Sequence, residues 1–291
     1  MNNTITIAAN TAHPLTVNRL GYGTMRLTGE GIYGEPKDRP GALAILKHAV
    51  QNGINFIDTA DYYGEDVTNR LIAEALYPYP ADLVICTKVG GARKPDKSWI
   101  AYNKPEELRK SIDNNLRTLR LQQMQVVHFR VMPHCEVPFK ESMEAVFEMQ
   151  KEGKILHVGV SNVSADDLQT ALGMGKIATV ENMYGHGQRA TLDSPYGRSN
   201  GGAEVLELCE QNNIPLIPYF SLLHSLSKKD NRIATIAQKY NATEAQVNIA
   251  WLLHKSPWIL PIPGTSSLDH FRENLKATTI NLTPEDMAFL E

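Results

Sequence analysis

The sequence predicts an α/β protein of the (β/α)8 TIM barrel type, with a short N-terminal β-hairpin and extra C-terminal helices. Three observations predict it. Eight short apolar runs rich in Val and Ile alternate with longer stretches of helical period, and strands alternating with helices imply parallel βαβ units. Eight such units are the number that closes a barrel. The chain length, 291 residues, suits one barrel, and no Pro/Ser-rich linker, low-complexity tract or charge block divides it, so residues 1–291 are expected to form one domain. A doubly wound open sheet is the runner-up.

Taken in order, the opening TITIAANTAHPLTV (4–17) reads as two small strands around a turn, suited to plugging the barrel's bottom. The strand candidates are NRLGYG (18–23), INFIDTA (54–60), LVICTKV (83–89), QVVHFRV (125–131), ILHVGVSN (155–162), TVENMY (179–184), IPLIPYF (214–220) and WILPIPG (258–264). Between them lie helical patterns at 39–53, 65–79, 104–119, 139–153 and 203–213, several ending on residues that helix termini favour (Gly53, Gly153, Asn213). DNRIATIAQKY and TEAQVNIAWLLHK (230–240, 243–255) are two successive helices, so one unit is decorated. The longest stretch without a period is 185–202, and a long irregular loop in a compact domain is usually functional or mobile.

Composition narrows the function. The chain is 42% hydrophobic and 21% charged, with formal net charge −3, so no basic field gathers nucleic acid or anionic lipid. Three widely spaced cysteines without a C-x-x-C read as reduced thiols. The N-terminus lacks the pattern of a signal peptide, and no apolar run approaches the roughly 20 residues of a membrane span. A cytoplasmic enzyme with neither membrane nor nucleic-acid partner is expected. Nine scattered His residues form no H-E-x-x-H and no strand-end H-x-H, so no catalytic metal is expected. There is no G-x-S-x-G elbow and no P-loop.

Barrel chemistry gathers where strands end and βα loops begin. There stand Asp58, Tyr62 and Tyr63, then Lys88, Arg130, Ser161 with Asn162, Glu181 with Asn182, and Tyr219. Singly, each has a bland alternative. Asp58 or Asp61 could cap the next helix, Lys88 could be a solvated surface lysine, one of the two tyrosines could only pack, and Ser161 and Asn162 could start a helix. Together, an acid, a phenol, an ammonium and a guanidinium at one end of adjacent strands can converge. His128 and Arg130 lie i, i+2 and point to the same side of their strand, so either could be the residue nearest a site's mouth.

These strand ends resemble the aldo-keto reductase family over nearly the full chain. The motifs are LGYGTM (20–25), INFIDTADYYG (54–64), TKVG (87–90), KILHVGVSN (154–162) and PIPGTSSLDHFRENL (261–275). The resemblance implies reduction of an aldehyde or ketone, a small-molecule carbonyl substrate, by NADP(H). It implies Tyr63 as general acid with Lys88 and Asp58 behind it. Ser161 and Asn162 should hold the nicotinamide carboxamide and Tyr219 should stack on the ring. Gly264, Thr265, Ser266, His270, Glu273 and Asn274 should hold the adenosine end, and Thr24, Met25, Phe220, Ser221 and Leu222 complete the implied cofactor contacts. Two positions depart from the family pattern. Glu181 stands where Gln usually faces the carboxamide, and it can still accept a hydrogen bond from the amide. Arg130, not His128, stands at the usual catalytic histidine, which makes His128 an interior histidine one layer deeper. Arg130, with RLGYGTMRLTGEGIYG and ALYPY, is most similar to the pyridoxal reductase branch.

Physical chemistry fills in the expected roles. A tyrosine with a pKa of about 10 keeps its proton at neutral pH and can donate it to a developing alkoxide, and a nearby ammonium lowers that pKa. Arg130 cannot shuttle protons, but its forked donors can orient a carbonyl or hold an anionic neighbour of it. GTSSLDHFREN opens a helix whose free N–H groups suit a phosphate; His270 and Arg272 add positive charge, which favours NADPH over NADH, whereas Ser267 replaces a basic residue common in relatives. Tyr33, Tyr62, Trp99 and the 185–202 stretch are expected to line the substrate pocket. The rival readings are a non-catalytic NADP(H)-binding sensor or regulatory subunit on the same fold, and a phosphate-binding sugar isomerase.

Overall fold

A computed structural model describes residues 3–187, 192–194, 197–200, 202–220, 222 and 231–291, with 192–194 and 197–200 as backbone. The first two strands, β1 (Thr4–Ile7) and β2 (Leu15–Asn18), pair antiparallel from Thr4↔Asn18 to Ile7↔Leu15. Period-two alternation turns Ile5, Ile7 and Val17 to one face. That face packs on Phe56, Val84, Val126, Ala178, Ile217 and Leu260, apolar residues at or near the starts of the barrel strands. The hairpin is the expected plug.

The parallel strands follow as β3 (Tyr22–Gly23), β4 (Phe56–Asp58), β5 (Val84–Arg93), β7 (Met124–Arg130), β8 (Ile155–Ser161), β9 (Val180–Met183) and β12 (Leu216–Tyr219), hydrogen-bonded in that order. The last run, WILPIPG, fills the remaining gap. Leu216 N–H donates to Trp258 O (2.8 Å), Leu260 N–H to Leu216 O (2.9 Å), and Gly21 N–H to Pro261 O (2.9 Å). It contributes a bridge at Ile259 rather than a strand, because Pro261 and Pro263 have no N–H to give a ladder.

Two features rise beyond the expected frame. β5 runs past Val89 and pairs antiparallel with β6 (Trp99–Tyr102). Gly90 makes this possible: its φ is +104°, and a Cβ there would stand 2.5 Å from Arg130 O. Within the aperiodic stretch, β10 (Leu192–Ser194) and β11 (Gly197–Asn200) form a small antiparallel hairpin.

The helices that follow the early strands are α1 (Arg39–Gln51), α2 (Val67–Leu76), α3 (Pro105–Leu119), α4 (Phe139–Lys151), α5 (Ala165–Met174) and α6 (Ala203–Gln211). Gly53, Gly153 and Asn213 take the left-handed conformation just past α1, α4 and α6. α3 shows the packing rule: Leu108, Ile112 and Leu119 recur on one buried face, each contributing roughly 1.5–3 kcal/mol. α7 (Asn231–Lys239) and α8 (Glu244–Lys255) are the extra pair, ahead of α9 (Leu268–Lys276) and α10 (Pro284–Leu290). α8 is buried almost all round, Trp251 included. Among the described residues no helix is long and apolar enough to cross a membrane.

Candidate active site

Strand register lays the inward side chains in rows. Gly23, Asp58 and Cys86 are partners across β3, β4 and β5. Lys88, His128 and Gly159 are partners across β5, β7 and β8, and Arg130, Ser161 and Glu181 across β7, β8 and β9. Each alternate residue faces outward. Thr59 and Thr87 there join a buried network: Thr59 Oγ1 donates to Asn69 Oδ1 (2.9 Å), Asn69 Nδ2 to Asn115 Oδ1 (2.9 Å), and Thr87 Oγ1 to the same oxygen (2.7 Å). This network ties β4 and β5 to α2 and α3, and so fixes the strand ends that carry Asp58 and Lys88.

Lys88 is 1% exposed, so it is no surface lysine. Its Nζ lies 2.5 and 2.6 Å from the two Asp58 oxygens and 3.2 Å from Glu181 Oε1. A buried ammonium is costly unless paired; burial alone would lower its pKa, but Asp58 and Glu181 hold it well above the usual lysine value. Asp58 is therefore an ion-pair partner and not a helix cap. Burial, then the neighbouring Glu181, push its carboxyl up against the pull of Lys88. For Glu181, burial is outweighed by Lys88, His128 and Arg130, and the carboxyl sits low, at about 2.

Tyr63 stands over Lys88, whose Nζ is 5.2 Å from the ring centroid. Lys88 pulls the phenol's pKa down as expected, but it does not set the outcome. Burial wins, and the phenol is pushed up to about 12 with Lys88 only opposing. Tyr63 therefore holds its proton across the physiological range. Tyr62 packs edge-on against Tyr63 (5.4 Å) and Trp99 (5.7 Å), with its hydroxyl buried and without a hydrogen-bond partner. Asp61 is half-buried and accepts from Ser111 Oγ at 2.6 Å; the burial of its carboxyl pushes it up to about 7.

His128 is the interior residue. It is fully buried, with Nε2 2.7 Å from Thr179 Oγ1 and Nδ1 3.3 Å from Cys86 Sγ. Nδ1 is also 3.0 Å from Glu181 Oε2, a close electrostatic contact that leaves that oxygen without a well-aligned hydrogen bond. Burial lowers the imidazole's pKa, so it is neutral. Gly159 makes the room, since a Cβ there would meet His128 Cδ2 at 2.3 Å and Thr179 Oγ1 at 2.7 Å. Glu181, expected to face a carboxamide, lines the cavity and also meets Lys88 and His128.

Arg130 reaches the cavity as well. Its Nη1 is 3.4 Å from Ser161 Oγ, its guanidinium lies 5.1 Å from the centre of the Tyr219 ring, and it has no ion-pair partner among the described residues. Asn162, at φ +60°, donates to Val131 O (2.6 Å) and accepts from Tyr219 OH (3.0 Å), which leaves one N–H and one lone pair of the amide for a ligand.

These groups floor a cavity of about 360 Å³. Tyr62, Trp99, Ile32 and Met132 form one wall. Tyr33 does not line it: its ring lies 5.9 Å from the Arg93 guanidinium, and its neighbour Ile32 takes the place. Met25, Tyr219, Phe220 and Leu222 line the other side. Ser221 lies outside the described residues, as do 188–191, 195–196 and 201 of the 185–202 stretch. Thr24 is fully buried and binds Asp58 O through its N–H (3.0 Å) and Oγ1 (2.9 Å), which makes it a brace for the strand end. Gly23 and Gly264 approach so closely that a Cβ on Gly264 would stand 2.5 Å from Gly23 O. Beyond them, Ser267 caps α9 by accepting from His270 N–H (3.4 Å), and Thr265 Oγ1 accepts from Ser267 N–H (3.1 Å). Ser266 and His270 are exposed, Glu273 is half-buried, and Asn274 is buried with Nδ2 unpartnered. Arg272 adds less charge than expected, because it pairs with Asp269 at 3.2 Å.

Arg26, Met132, Pro133, Ile262 and Pro263 also line the cavity and escape sequence reasoning. They sit in loops or in the proline-broken eighth run, where no period reports which way a side chain points.

The aldo/keto reductase family model matches residues 19–291. Pyridoxine 4-dehydrogenase of Escherichia coli strain K12 is 39% identical over 281 residues, covering 95% of this chain and 94% of that one. The structure of the thermostable aldo-keto reductase Tm1743 with the inhibitor epalrestat superposes with a TM-score of 0.81 at 28% identity, over 99% of this chain and 98% of that chain. An aldo/keto reductase from Klebsiella pneumoniae, solved with NADP and acetate, shares the fold at a TM-score of 0.77 and 23% identity, over 100% of this chain and 94% of that chain. With the family matched over almost the whole chain and a charged rim at the C-terminal ends of a parallel barrel, this protein belongs to the aldo/keto reductase family of oxidoreductase enzymes.

Proposed function

We propose that the enzyme reduces an aldehyde or ketone with NADPH, using Tyr63 as general acid, and that pyridoxal is a substrate. One observation carries the reading: a buried Lys88–Asp58 ion pair lies beneath the phenol of Tyr63 at the floor of an aromatic-walled cavity. The cleft's own features suit a dinucleotide. Gly23 and Gly264 form a cradle that a Cβ would fill, and Asn274 Nδ2, on the helix α9 that follows Gly264, is an orphaned buried donor. The bound cofactor supplies a hydride.

The chain's residues supply the rest. As the substrate's carbonyl oxygen gains charge, the Tyr63 O–H gives it a proton; a positioned donor is typically worth about 10²–10⁴ in rate. The phenolate left behind is stabilised by the Lys88 ammonium, which Asp58 keeps charged and aimed. Arg130 offers forked donors to an anionic neighbour of the carbonyl. The ring hydroxyl beside the aldehyde of pyridoxal ionises easily and suits that partner, and the 39% identity to pyridoxine 4-dehydrogenase supports the same substrate. Residues 1–291 are taken to act as one domain.

A carbonyl panel including pyridoxal and benzaldehyde, run with NADPH and with NADH, tests the reading. NADPH-dependent turnover is expected, falling by about 10²-fold or more in Tyr63→Phe, and discrimination between pyridoxal and benzaldehyde is expected to collapse in Arg130→Met. Absence of turnover across the panel favours a nucleotide sensor on this fold.

A further inference from the structure

Asp58 alone satisfies Lys88, with both carboxylate oxygens against Nζ. Glu181 is therefore a second negative charge, 1% exposed, in a site that does not need it for the ion pair. An uncompensated buried carboxylate is strongly unfavourable, so something must balance it. Among the cations on the barrel strands other than Lys88, Arg130 is the one that lines the same cavity as Glu181. It flanks Ser161 in register opposite Glu181 and has no ion-pair partner of its own among the described residues. Around Tyr63, the carboxyls of Asp58 and Glu181 stand against Lys88 and Arg130, beside a neutral His128 and a protonated Tyr62. With Asp58 ionised against Lys88, as its two short contacts with Nζ require, these four strand groups sum to zero, and the exposed Arg26 adds a charge at the cavity wall.

Either charge without the other would leave a net unit among these four groups around the phenol. We propose that Glu181 is a positioning residue of the reaction, charge-matched to Arg130: it steadies Lys88 as a second carboxylate arm and cancels the guanidinium's pull on the Tyr63 proton. Glu181 joins Lys88 through Oε1 (3.2 Å) and approaches His128 through Oε2 (3.0 Å), and Thr179 anchors His128 in turn at 2.7 Å. The arm is thus held from behind by a fixed imidazole. This inference rests on Tyr63 being the acid.

The test follows the Tyr63 phenol directly, by NMR titration of 13Cζ-tyrosine protein with the resonance assigned through Tyr63→Phe. In Glu181→Gln the guanidinium is uncancelled, and the Tyr63 midpoint is expected to fall by about 1–3 pH units. In Arg130→Met it is expected to rise. The double variant is expected to return near the wild-type value, because the two opposite charges removed shift the phenol in opposite directions and cancel. An unmoved midpoint in Glu181→Gln, or a double variant that titrates like Glu181→Gln, overturns the proposal; Arg130→Met alone decides it if Glu181→Gln does not fold. Kinetics give a second readout. A positioning role lowers kcat in Glu181→Gln with the KM for NADPH nearly unchanged, whereas a KM raised about tenfold would mean that Glu181 contacts the cofactor and would overturn the assignment. The titration needs no turnover, so matched charges in a chain that reduces no carbonyl would sink the functional reading and leave only the charge match between Glu181 and Arg130 standing.

Discussion

At the scale of single residues, burial decides how each ionisable group behaves, and it decides differently for neighbours in sequence. Asp58 and Asp61 are three positions apart, yet the buried Asp58 meets an ammonium, whereas the half-buried Asp61 meets hydrogen-bond donors such as Ser111 and the like charge of Asp66. The Asp61 carboxyl, pushed up to about 7, binds its proton more tightly folded than unfolded. Its contribution to stability is therefore fully present below the unfolded value of about 3.9 and is lost as pH rises through about 7. Asp61→Asn should melt higher than the parent at pH 8, with the gap closing toward pH 4; thermal melts at the two pH values check the sign. Asp58, Tyr63 and Lys88 were readable as strand-end polar groups. The direction of the Tyr63 shift was not, because it depends on how much solvent the folded walls exclude.

At the scale of elements, alternation along a strand explains most of the site. In TKVG the Lys88 side chain turns inward while Thr87 turns toward α3, and the same rule places His128 below Arg130 on β7. What alternation does not report is clearance between strands. Gly159 leaves the volume that the His128 ring fills beside Thr179. Gly159→Ala is expected to displace that ring and to cost about 1–3 kcal/mol, the usual range for overpacking, with a matching fall in denaturant midpoint and a lower kcat if the Glu181 arm moves with it. Unchanged stability would show that the ring relaxes freely. The eighth run was legible as an apolar segment, but its prolines make it a bridge, and only neighbouring carbonyls and amides reveal that it still closes the ring.

At the scale of the whole molecule, the chain behaves as a frame that brings distant residues to one rim: Gly23 and Gly264 approach across the closure of the barrel, and Asp58 and Glu181 share one ammonium from β4 and β9. A ligand that binds this rim only in the folded state must stabilise it. NADPH at about 100 times its Kd should add about 2.7 kcal/mol, read as a rise in melting temperature, and NADH at the same concentration should give a smaller rise; equal rises would remove the basis for a preference. The sequence by itself determined the alternation of strands and helices, the hairpin plug and the set of polar groups at the strand ends, because hydrophobic period and turn chemistry are local properties of a chain. Only the tertiary structure decided that Lys88 is shared by two carboxylates, that Glu181 turns toward His128 and that Arg130 faces the cavity without an ion-pair partner among the described residues. Those outcomes depend on distances between strands far apart in sequence and on which groups are denied water, and no local pattern encodes either.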